Sequence, residues 1–149
     1  MMTLPLAALT AVFVWGGPPP AFGLGTPVAS AADHDGASFT ICGIGARTDC
    51  VIDGDTFWYH GAKVRMADIN APEISEPGCV AEARLGQEAT ARLHALLNAG
   101  TFSLEPTARD HDRYGRLLRV VTRGGDSLGL VLVREGLAED AGGYRANWC

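Results

Sequence analysis

The chain has 149 residues, 47% of them hydrophobic and 19% charged, with a formal net charge of −5. That is enough for one domain with a real core and gives no reason to expect a second. The acidic balance argues against a nucleic-acid coat protein, which works through extended Lys/Arg surfaces, but not against a catalyst that needs only local positive charge.

Thirty-two residues pass before the first charge, Asp33, and an apolar run from Leu4 to Trp15 stops at Gly16-Gly17-Pro18-Pro19-Pro20. A bilayer span needs roughly 20 apolar residues, so this run is too short to cross one. Ala29-Ser30-Ala31 supplies a small-residue cleavage pattern before the polar chain begins, and residues 1–31 read as a signal peptide, although they carry no Lys or Arg. The expectation is a secreted or periplasmic monomer with no membrane attachment after processing. Residues 32–49 then form an N-terminal segment, flexible from Ala32 to Gly36 and ordered from about Ser38, ahead of a domain at 50–149.

Cys42, Cys50, Cys79 and Cys149 are an even set behind an export signal, so disulfides are the default. Of the three pairings, Cys42–Cys50 and Cys79–Cys149 are favoured. The first closes a short local loop, and the second pins an otherwise loose terminus to the loop before the main helix. Loop entropy gives about 2.5 kcal/mol for the short ring and about 4.4 kcal/mol for the long one. A zinc site is the rival, but no two cysteines have C-x-x-C spacing.

A first strand is expected through Cys50-Val51-Ile52 and a second through Thr56-Phe57-Trp58-Tyr59, rich in aromatic and β-branched residues. His60-Gly61 supplies a turn before a third strand, Lys63 to Ile69. Asn70-Ala71-Pro72 and Glu76-Pro77-Gly78 mark a loop. From Val80 to Asn98 the spacing of Leu85, Ala89, Leu93, Leu96 and Leu97 predicts a helix, with Gly100 at its stop and Glu88 paired to Arg92 on its outer face. A fourth strand follows at Thr101 to Pro106, a polar loop at Thr107 to Arg113, a fifth strand at Arg116 to Thr122 and a second helix at Ser127 to Glu135. This order suits an α+β fold: a five-stranded barrel with a helix inserted between strands three and four and a C-terminal helix, or an open α+β sandwich.

Candidates for phosphodiester chemistry cluster in two places. Asp53 and Asp55 are two residues apart at one strand edge, and Asp68 and Asn70 are two apart at the end of another. Residues i and i+2 of a strand share a face, so each pair can aim oxygen donors at one hard cation such as calcium. Asp-Gly-Asp-Thr alone is also ordinary turn chemistry. Trp58, Tyr59 and Trp148 read as packing residues, although aromatics on a barrel face can stack on bases, and His34, His60, His94 and His111 read as solvated.

Taken in order, Asp53-Gly54-Asp55-Thr56, Arg65, Asn70-Ala71-Pro72-Glu73 and Asp112-Arg113-Tyr114-Gly115-Arg116 resemble the signature of the staphylococcal nuclease, or thermonuclease, family. The resemblance covers roughly Val51 to Ala138. It implies a five-stranded OB-fold barrel that hydrolyses DNA and RNA with calcium, cutting on the 5′-oxygen side to leave 3′-phosphates. It also implies that Asp55 is a metal carboxylate with Asp53 close behind it and Thr56 nearby, and that Ala71 gives a backbone carbonyl to the ion. Glu73 resembles the residue that activates or orients the attacking water, Arg65 and Arg116 the guanidinium pair that grips the phosphate, and Tyr114 a residue lining the nucleotide pocket. One position departs from the pattern. The second metal carboxylate falls at Asn70, an amide without charge, and Asp68 is the candidate to compensate for it. Two expectations therefore stand: an exported calcium-dependent endonuclease, and a weakened domain of the same fold that binds nucleic acid or protein without efficient turnover.

Overall fold

A computed structural model of the protein describes residues 32–143 and 145–149. The expected signal segment, 1–31, lies outside them. The structure is a mixed sheet with two helices, an α+β fold. Its main sheet runs in the order β1 (Thr40–Ile41), β2 (Cys50–Asp53), β3 (Thr56–Tyr59), β4 (Ala62–Met66), β7 (Leu117–Arg123), β6 (Ser103–His111), with β8 (Asp126–Ser127) on the other side of β7. β5 (Ile69–Asn70) and β9 (Glu139–Asp140) make a separate antiparallel pair. Helix α1 (Val80–Asn98) lies between β5 and β6, and α2 (Leu128–Arg134) follows β8.

The two hairpins β2–β3 and β3–β4 are antiparallel, whereas β4 meets β7 in parallel. His60 and Gly61 both have positive φ, 47° and 81°, so the β3–β4 turn takes the left-handed form that matches strand twist. The His60 amide donates to Asp49 Oδ1 at 2.7 Å, which holds a non-glycine residue in that region. The core gathers Phe39, Val51, Phe57, Val64, Met66, Leu93, Leu97, Phe102, Val121 and Leu132. Phe39 meets Phe57 edge-on at 5.9 Å and also packs on Phe102 and Tyr59.

The folded unit starts before Ser38. Asp35 exchanges both backbone hydrogen bonds with Phe102, and the Asp33 carboxylate accepts from Ser103 Oγ and the Gly124 amide. The segment expected to be flexible is therefore held by local hydrogen bonds to two strand ends. The third strand is also shorter than expected. It ends at Met66, because Arg65 Nη1 donates to the carbonyls of Met66 and Ile69 and closes a bend between them. β6 continues to His111 through a stretch whose exposed polar residues read as a loop; an irregular register between Pro106 and His111 accommodates it.

Both disulfides, Cys42–Cys50 and Cys79–Cys149, join residues 8 and 70 positions apart. Cys79 is also the N-cap of α1. Arg92 does not pair with Glu88. It makes a two-pronged bond to Glu135 at 2.8 and 2.9 Å, and this fork ties α1 to the end of α2. His94 is partly buried, with Nε2 2.9 Å from the Phe39 carbonyl oxygen, so it is not simply solvated. Among the described residues no helix is long and apolar enough to cross a membrane.

Helix α1 lies very close to the chain that precedes it. A Cβ on Gly54 would fall 2.6 Å from Ala89 Cβ and 2.7 Å from Ala71 Cβ. Gly54→Ala therefore forces apart three rigid backbones, and we expect it to lower stability by about 1–3 kcal/mol, read as a fall in urea midpoint at unchanged m.

Candidate active site

The β2–β3 turn places Asp55 where its side chain is almost enclosed, at 7% exposure. Its Oδ1 accepts from the Thr56 hydroxyl at 2.8 Å. Its Oδ2 accepts from the Ala71 amide at 2.8 Å and lies 3.2 Å from Arg65 Nη2. Arg65 stands opposite Thr56 in the β3–β4 ladder, so strand register alone brings the guanidinium to this carboxylate. The same Nη2 donates to Asn70 Oδ1 at 2.8 Å, and Asn70 Nδ2 points back to Glu139 Oε1 at 3.5 Å. Asn70 and Glu139 are register partners in β5–β9. The amide thus has an arginine at its oxygen and a carboxylate at its nitrogen.

Asp53 lies beside this group, and its Oδ1 accepts from the Asp55 amide at 3.1 Å. Burial, with the neighbouring Asp55 charge, raises the Asp53 carboxyl from 3.8 to about 7. That shift brings its protonation close to neutral pH, and a proton there relieves the repulsion between two adjacent carboxylates.

A second group comes from the turn between β6 and β7. Asp112 accepts from the amides of Tyr114 and Arg116 at 2.9 and 3.0 Å, and its Oδ2 takes Arg116 Nε at 2.6 Å. The Arg116 guanidinium also sits 5.4 Å from the centre of the Tyr114 ring, which is 68% exposed. Asp112 is therefore the anchor that aims Arg116, and Arg116 supports the ring.

These groups meet in a cleft of about 610 Å³. It is lined by Asp53, Asp55, Arg65, Asn70, Ala71, Glu73, Tyr114 and Arg116, which the sequence singled out. Asp68 does not join them. Past the bend at Arg65 its side chain turns to α2, where Oδ2 accepts from the helix-capping Ser127 at 2.5 Å. It lies off the cleft lining because residues 66 to 70 are not one continuous strand. Residues that were not anticipated also line the cleft: Glu82, Glu139 and the segment from Arg145 to Cys149. Glu82 accepts from the amides of Glu73 and Gly78, so it secures the loop that carries Glu73. The Ala146 amide donates to Glu139 Oε2, and Trp148, read as a packing residue with base stacking left open, lines the cleft. The signal for Trp148 was its place next to Cys149, whose disulfide partner follows Glu73 by six positions.

The donors available to a metal here are carboxylate, amide and carbonyl oxygens, with no thiolate or imidazole, which is the set a hard cation prefers. Among the described residues no three His, Cys, Asp or Glu side chains make a ready cage. A cation would thus rely on Asp55 together with neutral oxygens and water, which the flexible coordination of calcium tolerates.

The family model described as staphylococcal nuclease homologue matches residues 63–147. The chain belongs to the staphylococcal nuclease family. Among curated relatives of this nuclease homologue, endonuclease YncB of Bacillus subtilis (strain 168) is 37% identical over 109 residues, 70% of this chain and 51% of the relative. The SPbeta prophage-derived endonuclease YokF of the same strain is 38% identical over 104 residues, 66% of this chain and 35% of the relative. The chain thus spans about half the length of the first and about a third of the second.

The Asp112 anchor gives a pH-dependent prediction for this family member. Burial pushes its carboxyl up, but the Arg116 amide and guanidinium and the Tyr114 amide outweigh that and hold it below its ordinary 3.8. A depressed folded value contributes stability that is present above the unfolded value and lost as pH falls through the folded one. Asp112→Asn should therefore lower stability by about 1.5–3 kcal/mol at neutral pH. Its acid unfolding curve should also be flatter than that of the natural chain below pH 3.8, measured by circular dichroism.

Proposed function

We propose that this chain is an exported, calcium-dependent endonuclease that hydrolyses phosphodiester bonds of DNA or RNA. The observation that carries the reading is the convergence of Arg65, Arg116 and Glu73 on one cleft around Asp55. Two relatives that are named endonucleases support it.

A phosphodiester in the cleft would meet two guanidinium groups: Arg116, held through Nε, keeps its terminal nitrogens for charge-assisted bonds to phosphoryl oxygens as negative charge builds there, whereas those of Arg65 donate to Met66, Ile69, Asn70 and Asp55. Asp55 and Asn70 hold Arg65 from one side, and Asp112 holds Arg116 from the other. Arg116 is therefore aimed before substrate arrives, and Arg65 would exchange part of its present bonding for the phosphate. Glu73, exposed at the cleft and backed by Glu82, orients the attacking water and takes its proton. Asp55, Asn70 and the Ala71 carbonyl would hold calcium, with Asp53 beside them. Bound there, the ion supplies Lewis-acid polarisation of the phosphoryl oxygen. Attack then breaks the bond to the 5′-oxygen and leaves a 3′-phosphate, and Tyr114 stacks on the adjacent base.

The finer fold reading is a five-stranded OB-fold barrel. The path β2-β3-β4-β7-β6 places the five long strands in the order such a barrel uses, and its closure would bring β6 to the β1–β2 edge. Export is supported by the leader composition and by two disulfides, which persist in oxidising compartments.

Asn70 favours a second reading, a weakened domain that binds without turnover, because its amide brings no charge and is engaged on both sides. Plasmid degradation separates the two. We expect cleavage with calcium, none with chelator, and a loss of about 10²–10⁴-fold in Glu73→Gln. Retained DNA binding with no cleavage in any condition establishes the binding module.

A further inference from the structure

Beside the cleft lies a second groove of about 370 Å³, lined by Trp58, Lys63, His111, Tyr114 and Arg116 together with the small residues Gly61, Ala62 and Gly115. It shares Tyr114 and Arg116 with the cleft, so the two adjoin at these side chains. We propose that this groove is a second nucleotide subsite, which holds the single-stranded stretch next to the bond presented to the cleft. The inference rests on the nuclease reading and adds to it where the chain of the substrate runs.

Register makes the groove a property of the sheet. Trp58 pairs with Lys63 across β3–β4, and Val64 pairs with Leu117 across β4–β7. Phe57, Val64 and Met66 point into the core, so the alternate residues Trp58, Lys63 and Arg65 share the outer face. One face thus carries Arg65 to the cleft and Lys63 and Trp58 to the groove.

The chemistry of the lining suits a polyanion with flat bases. None of the groove's lining residues is acidic, in a chain whose net charge is −5, whereas the cleft holds five acidic side chains. His111 lies 3.0 Å from Asp110 and Arg116 is held by Asp112 through Nε, so positive charge in the groove comes from Lys63 and the terminal nitrogens of Arg116. Trp58 is half-buried: its indole Nε1 is covered and has no hydrogen-bond partner among the described residues, while part of the ring stays accessible in the groove. The accessible part of the ring offers a base-stacking platform, and stacking tolerates any base. With Tyr114 at the shared edge, two aromatic platforms flank the cationic pair Lys63 and Arg116, the pattern of single-strand binding sites.

The test compares the full chain with Trp58→Ala, Trp58→Phe and Lys63→Ala on two substrates. One is a single-stranded oligonucleotide of about 12 nucleotides, long enough to fill both sites. The other is bis(p-nitrophenyl) phosphate, which reaches only the cleft. Trp58→Ala and Lys63→Ala should raise KM for the oligonucleotide about tenfold, with kcat changed less than about twofold and diester hydrolysis unchanged. Trp58→Phe should stay within about threefold of the natural chain, because the ring face is kept. An unchanged oligonucleotide KM overturns the subsite, and so does an equal loss on both substrates, which marks a purely structural role. If Trp58→Ala does not fold, Lys63→Ala and Trp58→Phe decide. Anisotropy with a phosphorothioate oligonucleotide runs in parallel. A natural chain that binds it but cleaves nothing removes the nuclease reading, and weaker binding by Trp58→Ala and Lys63→Ala then still supports the subsite. Variants that bind as tightly as the natural chain remove the subsite alone.

Discussion

The acidic half of the cleft depends on how closely helix α1 approaches the two loops that carry it, and that approach is possible only because side chains are missing there. Gly54 lies against Ala71 and Ala89, and a Cβ on Gly86 would fall 2.5 Å from Ile74 Cγ2 and 2.9 Å from the Pro72 carbonyl oxygen. A glycine inside a helix costs about 1 kcal/mol relative to alanine. Here that cost lets the Pro72–Glu73–Ile74 loop rest on the helix, while Gly54 lets the Asp53–Asp55 turn slide beneath it. Backbone contact of this kind is stiff, so Asp55 and the Ala71 amide hold their 2.8 Å bond without a larger scaffold.

On that platform the charges form a line. Glu139, Asn70, Arg65 and Asp55 follow one another through hydrogen bonds and one ion pair, so two carboxylates bracket a single guanidinium with a neutral amide as the spacer. An aspartate at position 70 would face Glu139 across the β5–β9 ladder, where like charges directly opposite are unfavourable. The amide is consistent with its partner strand. On the other side Asp112 performs a similar service for Arg116. Arg65 and Arg116 are thus each held by an acid, which explains how an acidic protein can present firm local positive charge.

The features legible in the sequence are those set by near neighbours. The stripe of α1, the β2–β3 and β3–β4 hairpins and the Asp112 turn all depend on residues within a few positions, and hydrophobic period or turn chemistry reports them. The structure brings Asp55, Arg65, Glu73 and Arg116 into one cleft, as the order of the motifs implied. What could not be read depends on distant partners. β5 and β9 are two residues each and pair across 70 positions of chain, so no local pattern announces Glu139 opposite Asn70. Asp68 turns to Ser127 rather than along the face of Asn70 because the i, i+2 rule assumes an unbroken strand, whereas Arg65 closes a bend just before it. Arg92 went to Glu135 rather than Glu88 because the geometry of a guanidinium favours a fork over one long contact.

The Cys79–Cys149 bond ends one wall of the cleft on a residue 70 positions away, at the cap of α1. The rest of the cleft is laid down by strands, turns and a helix, which reform whenever the chain refolds. This wall is tethered covalently as well: the segment that carries Arg145, Asn147 and Trp148 ends on the sulfur of the residue that caps α1, so the last residues of the chain and the first turn of the helix share one anchor.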